Sequence, residues 1–223
     1  PFQPALVTTI AVNGEPTSVA VADRYAFAAV WADLPSAGSA PPAFGPGKLV
    51  VIDLIQPNAP TVIGQVDIGF HPDSCKVKRI GNTYHVVVAI ENQPVVVVNG
   101  LVTSEDRPGS PNDIGPAGFV QVISLQPNNL AAAVVTNVQL PATMLAAAGC
   151  VYPNDPQPEY VAWHGHRVVV TLQENNGVAV LDMSNPAQPA LTGIFSTGVV
   201  APRPGDVSDN ATISLTQSYP TDA

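Results

Sequence analysis

A series of short strands occurs three times along this chain, and the repetition limits the folds available to it. Each series starts after a proline, at Pro16, Pro72 and Pro158, and continues as short apolar runs separated by turn residues. Runs rich in valine and isoleucine and bounded by turn residues predict β-strands. Four-stranded units that recur along a sequence are typical of β-propeller blades, whereas a β-sandwich would not explain the recurrence.

We therefore assign residues 1–223 to one partial, all-β propeller of about three blades. The predicted blade-like units are 15–69, 71–140 and 157–198, with a leading strand at 4–14 that belongs to a preceding blade. Long loops are predicted at 32–47, 93–117 and 141–155. In the second unit, the pattern allows either Phe119–Leu125 or Val95–Val98 as the third strand.

Three blades are too few for a closed propeller. Closed rings contain ~4–8 blades, because closure protects the sheet edges. We expect the ring to be completed by further propeller sequence, by another copy of the chain or by a partner chain.

Composition excludes several classes of partner. The formal net charge is -9 and only 11% of residues are charged, so the chain has no basic stripe for nucleic acid or for an anionic membrane surface. The longest apolar runs, such as 25–32 and 130–135, are far shorter than the ~18 residues that suggest a membrane-spanning helix.

Four acidic residues are expected to share one face of the propeller. In an antiparallel meander alternate connections lie on the same side, so Asp73 and Glu159, near the starts of innermost strands, join Glu91 and Glu174 there. Carboxylates are ligands for hard cations such as calcium, and the neighbouring amides Asn92 and Asn175 would add carbonyl oxygens. The alternative is structural, because acidic residues at strand ends often cap turns or bind backbone amides.

Other chemically suggestive residues are predicted to be structural. His164 and His166 have a spacing that can ligate zinc or copper, but they fall in a hairpin turn on the opposite face. His71 and His85 are isolated along the sequence. The sequence contains no Gly-x-Ser-x-Gly elbow, phosphate-binding glycine loop or Cys-x-x-Cys motif.

The motif Glu91-Asn92 and the string from Thr171 to Asp182 (TLQENNGVAVLD) resemble the choice-of-anchor and phytase-esterase-like β-propellers. These include the mesenchyme-specific cell-surface glycoprotein type and the LVIVD and YVTN repeat proteins. The resemblance covers about residues 15–200. It implies a secreted or surface-attached propeller, and in the phytase-like members calcium bridges acidic side chains and a phosphate substrate.

Several sequence features favour an extracellular location. Lysine is scarce, proline is abundant, and Asn210-Ala211-Thr212 is an N-glycosylation sequon with Asn210 as acceptor. Cys75 and Cys150 fall in regions that adjacent blades bring close together, which predicts a disulfide.

Two functional classes follow from the sequence. The first is a non-catalytic structural or interaction module at the cell surface. The second is a calcium-dependent hydrolase of the phytase-esterase type. The missing nucleophile motif and the small number of basic residues favour the first, since phosphate binding would require several Lys or Arg side chains near the carboxylates.

Overall fold

The computed structural model describes residues 5–31, 36–41, 43–92, 95–104 and 113–198, and two short strands beyond them. Three four-stranded antiparallel sheets dominate these residues, which confirms the all-β propeller fold. The first blade consists of β1 (Glu15–Ala22), β2 (Tyr25–Trp31), β3 (Gly47–Asp53) and β4 (Thr61–Ile68). Its strands pair in sequential order, from the innermost β1 to the outermost β4.

The second blade contains an insertion between its second and third strands. Its strands are β5 (Pro72–Ile80), β6 (Thr83–Ile90), β10 (Phe119–Leu125) and β11 (Val134–Gln139). The inserted strands β7 (Val95–Val98), β8 (Leu101–Ser104) and β9 (Asp113–Ile114) form a separate sheet. The third strand of the blade is therefore Phe119–Leu125, and the loop predicted at 93–117 contains a small sheet.

The third blade has no long insertion between its strands. It consists of β12 (Pro158–His164), β13 (Arg167–Leu172), β14 (Gly177–Asp182) and β15 (Ala190–Ser196). A 3₁₀ turn (Leu130–Ala132) precedes β11, and the helix α1 (Ala142–Ala148) lies in the segment predicted as a loop at 141–155. Two short strands, β16 (Gly205–Asp206) and β17 (Ile213–Ser214), pair with each other.

Residues 5–14 form no strand, so the predicted leading strand at 4–14 is not present in the described part of this segment. A strand there would need the first three strands of a preceding blade as partners, and the described residues contain no such blade. Ile10 and Val12 instead pack against the outer face of the first blade, on a cluster that includes Ala28, Val30 and Val50.

Apolar layers between neighbouring blades form the core. Phe27 and Leu49 of the first blade meet Val88 of the second blade in one layer. A second layer joins Val87 of the second blade to Val170 of the third. Each strand contributes alternate residues to its two faces, which is why nearly continuous valine runs are buried on both sides.

The disulfide predicted between Cys75 and Cys150 is absent, and both cysteines are buried free thiols. They lie in different layers, because Cys75 belongs to the layer between the first and second blades and Cys150 to the layer between the second and third. The Cys75 thiol donates a hydrogen bond to the carbonyl oxygen of Phe27 at 3.5 Å. Burial raises the pKa of both thiols, which reduces the reactive thiolate fraction.

Candidate functional site

The candidate site is a group of carboxylates at the junction of the second and third blades. Asp73 lies at the start of β5 and Glu159 at the start of β12. Glu91 directly follows β6, and Glu174 lies in the turn between β13 and β14. Because antiparallel strands alternate in direction, these starts and ends lie at the same end of the blades.

Three of these side chains converge closely. One carboxylate oxygen from each of Glu91, Glu159 and Glu174 lies within 4.8 Å of the other two. Glu91 is only 6% exposed, and the other two residues are half-buried. We call these three residues the acidic cluster.

Asp73 lies beside the acidic cluster and is affected by its charge. Burial and the neighbouring Glu174 carboxylate together raise the pKa of Asp73 to about 6. Like charges held close together in a partly buried site favour uptake of a proton or a cation. The four predicted acidic residues are therefore neighbours in the structure.

The spacing of the acidic cluster is compatible with a shared cation. Calcium takes oxygen ligands at ~2.3–2.6 Å, so two ligands on opposite sides of one ion are separated by up to about 5 Å. Three carboxylates can supply up to six oxygen atoms, which is the lower end of the coordination number of calcium. Glu91, Glu159 and Glu174 would be the protein ligands of such an ion.

A buried histidine, which was predicted to be structural, adjoins the acidic cluster. The Nδ1 atom of His71 lies 3.4 Å from Oε2 of Glu91, and its ring lies against Trp31 with centroids 3.8 Å apart. Burial lowers the pKa of His71 to about 4, so the imidazole is neutral at pH 7 and the contact is not an ion pair. Its position immediately before Pro72 was the available signal, because that position lies at the same end of the blade as Asp73.

Aromatic side chains extend from His71 towards the first insertion. Trp31 meets Phe70 edge to face at 5.7 Å, and Phe70 meets Phe44 in the same way at 5.0 Å. The first insertion also contacts the second, since the Gly38 amide donates to the Val102 carbonyl at 2.7 Å. Both insertions therefore lie at the end of the blades that carries the acidic cluster.

The amides predicted to add carbonyl ligands are used by the backbone instead. Asn92 Oδ1 accepts a hydrogen bond from the His71 amide, and Asn175 Oδ1 accepts one from the Gln157 amide. The side-chain NH₂ group of Asn92 donates to the Ala117 carbonyl at 3.0 Å. The Glu-Asn pair thus combines two roles, in which the asparagine fixes the turn and the glutamate lies in the acidic cluster.

The remaining candidate residues lie elsewhere. The Gly165 carbonyl, between His164 and His166, accepts hydrogen bonds from Lys78 and from the Trp163 indole, which makes this turn a contact between blades. Asn210, the predicted glycosylation site, lies outside the described residues.

His85 shares a hydrogen bond of 2.8 Å with the Ser124 hydroxyl across neighbouring strands. Within the described residues, no helix has the length and apolar character needed to cross a membrane.

Two solved structures that match this chain are distant from it in sequence. One is Kuenenia stuttgartiensis hydrazine synthase, with 17% identity, a TM-score of 0.42, and coverage of 75% of this chain and 40% of that chain. Another is a Lactobacillus plantarum protein, with 11% identity, a TM-score of 0.38, and coverage of 88% and 60%. The match therefore spans about half the length of these two proteins.

Sequence comparison assigns the family. No curated protein sequence matches the chain. The sequence profile of the choice-of-anchor I domain matches residues 1–218, which is nearly the whole chain. This β-propeller chain belongs to the choice-of-anchor I domain family.

Proposed function

We propose that this chain is part of a surface-associated, non-catalytic β-propeller, in which a divalent cation of the calcium type joins the second blade to the third. Family membership supports association with the cell surface. The observation that carries the cation proposal is the convergence of Glu91, Glu159 and Glu174 to within 4.8 Å. Glu91 comes from the second blade and the other two from the third, so a shared ion would fix the junction.

The cation would also stabilise the face that carries the insertions. Loops held by a rigid scaffold are frequent binding sites, and both long insertions lie at the end of the blades where the acidic cluster lies. Further blades, from additional propeller sequence, another copy or a partner chain, would complete the ring. Val19 and Tyr160, on the two end blades, are 60% and 61% exposed, which supports an extended assembly.

The hydrolase alternative has less support from the geometry. Lys78 and Arg79 lie near the far end of β5, five and six residues from Asp73, or roughly 17–20 Å along the strand. Lys78 contacts the Gly165 carbonyl, and Arg79 pairs with Asp23 at 3.0 Å. These cations therefore do not surround the acidic cluster, as phosphate binding at that position would require.

A calcium titration monitored by thermal unfolding tests the cation proposal. A ligand that binds only the native state at 100 times its Kd adds about 2.7 kcal/mol, which corresponds to roughly 5–10 °C in Tm for a chain of this size. We expect this increase at millimolar calcium, and we expect Glu91→Gln and Glu159→Gln to remove most of it. Glu15→Gln, at an exposed position of the first blade, is the matched control and should keep the shift.

Two results would contradict the proposal. One is a wild-type Tm that does not change between EDTA and millimolar calcium. The other is a shift of equal size in the Glu91→Gln variant and the wild type, because that result would place the ion elsewhere.

A further inference from the structure

The innermost strands of all three blades begin with the same irregularity. A register shift follows the first proline in each strand, between Pro16 and Ser18, between Pro72 and Cys75, and between Pro158 and Val161. Such a bulge interrupts the ladder with the second strand and turns backbone groups away from it. The backbone groups turned away then need partners outside their own blade.

The preceding blade provides these partners through a serine. The Ser18 hydroxyl of the first blade accepts a hydrogen bond from the Cys75 amide of the second at 3.1 Å. The Ser74 hydroxyl of the second blade accepts one from the Val161 amide of the third at 2.9 Å. In both cases the serine is two residues after its proline, and the amide is three residues after the next proline. We call this contact the serine link.

Among the described residues, the series of serine links has no further member before the first blade or after the third. Val19 in the first blade is equivalent to Cys75 in the second and Val161 in the third, and it is 60% exposed. Tyr160 of the third blade has the position of Ser18 and Ser74, and it is 61% exposed. The tyrosine hydroxyl is at the far end of a ring, so it cannot reproduce the short contact made by a serine Oγ.

We infer that the open inner edge of the first blade, at Val19, receives a further propeller blade whose innermost strand begins Pro-x-Ser or Pro-x-Thr, and not the third blade of a second copy. This inference rests on the proposed completion of the ring and specifies the partner. The supporting observation is continuity, because the same serine link is made at both junctions between the described blades. A serine or threonine two residues after the proline supplies the acceptor, whereas Tyr160 excludes the third blade from this contact.

Variants at Tyr160 test which blade fits. We expect the wild-type chain and Tyr160→Ala to show no association through Val19 in sedimentation equilibrium. Tyr160→Ser supplies the missing hydroxyl, and we expect it to associate head to tail at least about fivefold more tightly than the detection limit that bounds Tyr160→Ala, as one added hydrogen bond allows. Hydrogen exchange provides the site-specific measurement, since the Val19 amide should become protected only in Tyr160→Ser.

The serine link itself has a separate control within one chain. Ser74→Ala should accelerate exchange of the Val161 amide, while Ser74→Thr should preserve its protection. Equal association of Tyr160→Ser and Tyr160→Ala would overturn the inference. So would wild-type dimers that Val19→Glu dissociates, because the occupant would then be a second copy. These results are distinct from failure of the cation proposal, since Val19 and Tyr160 are not among the proposed cation ligands.

Discussion

The two junctions between blades share one backbone plan but differ in the side chains at the same positions. The residue after the strand-starting proline is Thr17 in the first blade, Asp73 in the second and Glu159 in the third. Thr17 donates a hydrogen bond to the Pro72 carbonyl at 2.7 Å, which ties the first junction with a neutral contact. The second junction has carboxylates instead, so the blade geometry does not require acidic residues at these positions.

The contrast between the two junctions shows which side chains at this end are needed for blade packing and which are candidates for ligand binding. Trp31, one residue beyond the partner of Pro16, forms an aromatic contact, and Glu91, at the corresponding position, joins the acidic cluster. Grouping carboxylates in a partly buried site costs stability through desolvation and mutual repulsion. A feature that costs stability and is not needed for packing is a candidate for ligand binding.

The largest expected effect on stability concerns a glycine that both junctions contain. Gly47 and Gly118 precede or begin the third strand of their blades, where the first proline of the next blade approaches the backbone. A Cβ atom on Gly118 would lie 2.2 Å from the Pro156 carbonyl oxygen and 2.8 Å from that of Glu91. We expect Gly118→Ala to cost about 3 kcal/mol or more, which would lower Tm by roughly 10 °C.

Two further glycines calibrate that measurement. Gly47→Ala places its Cβ 2.5 Å from the Gly69 carbonyl oxygen, so a comparable loss is expected at the first junction. Gly45→Ala meets nothing within 4 Å and should leave stability unchanged or slightly higher. Equal Tm values for Gly118→Ala and Gly45→Ala would show that the blades are not packed as described.

The asparagines that fix the two turns differ in their number of partners. Asn175 accepts from the Gln157 amide and donates to the carbonyls of Val151, Tyr152 and Asp155, whereas Asn92 makes two side-chain hydrogen bonds. We expect Asn175→Ala to cost about 3 kcal/mol, because buried backbone groups lose their partners.

The corresponding change at Asn92 needs a different substitution. Asn92 has a φ of 52°, so Asn92→Gly removes the side chain without adding backbone strain, and about 2 kcal/mol is expected. The exposed Asn58→Ala is the control and should change stability by less than about 0.5 kcal/mol. Urea unfolding measures these stabilities, and an Asn92→Gly variant that is less stable than Asn175→Ala would contradict the expected order.

His71 and Asp73 contribute with opposite sign to the pH dependence of stability between pH 4 and 6.5. The pKa of His71 is lowered to about 4, so its native state binds fewer protons than the unfolded state and stability falls as pH falls through this range. The pKa of Asp73 is raised to about 6, so its native state binds more protons and stability rises as pH falls. We expect the wild type to show a weak pH dependence from this pair.

Single substitutions should reveal how each of the two residues changes the free energy of unfolding with pH. Asp73→Asn leaves the His71 contribution, so stability should decrease with acidification by up to about 1.4 kcal/mol per pH unit. His71→Gln, which copies Gln157 of the third blade, leaves the Asp73 contribution and should reverse the sign. Chemical unfolding at pH 4.5, 5.5 and 6.5 measures both, and slopes of the same sign in the two variants would refute the assignment.

The sequence predicted the blades better than the chemistry of their ends. Strand periodicity and the recurring proline predict three quartets, and strand parity places Asp73 and Glu174 at one end, as the structure does. The sheet that begins with Val95–Val98 was not predicted, because a short valine run fits a blade strand equally well. The burial of His71 and the backbone contacts of Asn92 depend on long-range packing, which strand periodicity does not report.

The smallest expected effect isolates the repulsion that distinguishes the second junction. Burial and, after it, the Glu174 carboxylate raise the pKa of Asp73, and the two carboxylates repel each other in the native state. In EDTA at pH 7.5 we expect Glu174→Gln to stabilise the chain by about 1 kcal/mol, since removing one like charge relieves repulsion that the more extended unfolded chain largely avoids. Added sodium chloride should reduce the difference in stability between the variant and the wild type, because screening stabilises the wild type more than the variant. In calcium the order should reverse, since the wild type alone keeps all three carboxylates for the ion.

Glu15→Gln controls for net charge and should be neutral in all three solutions. A Glu174→Gln variant that is less stable than the wild type in EDTA would mean that the glutamate holds the third blade together, and the contrast between the two junctions would then lie in packing rather than in ligand binding.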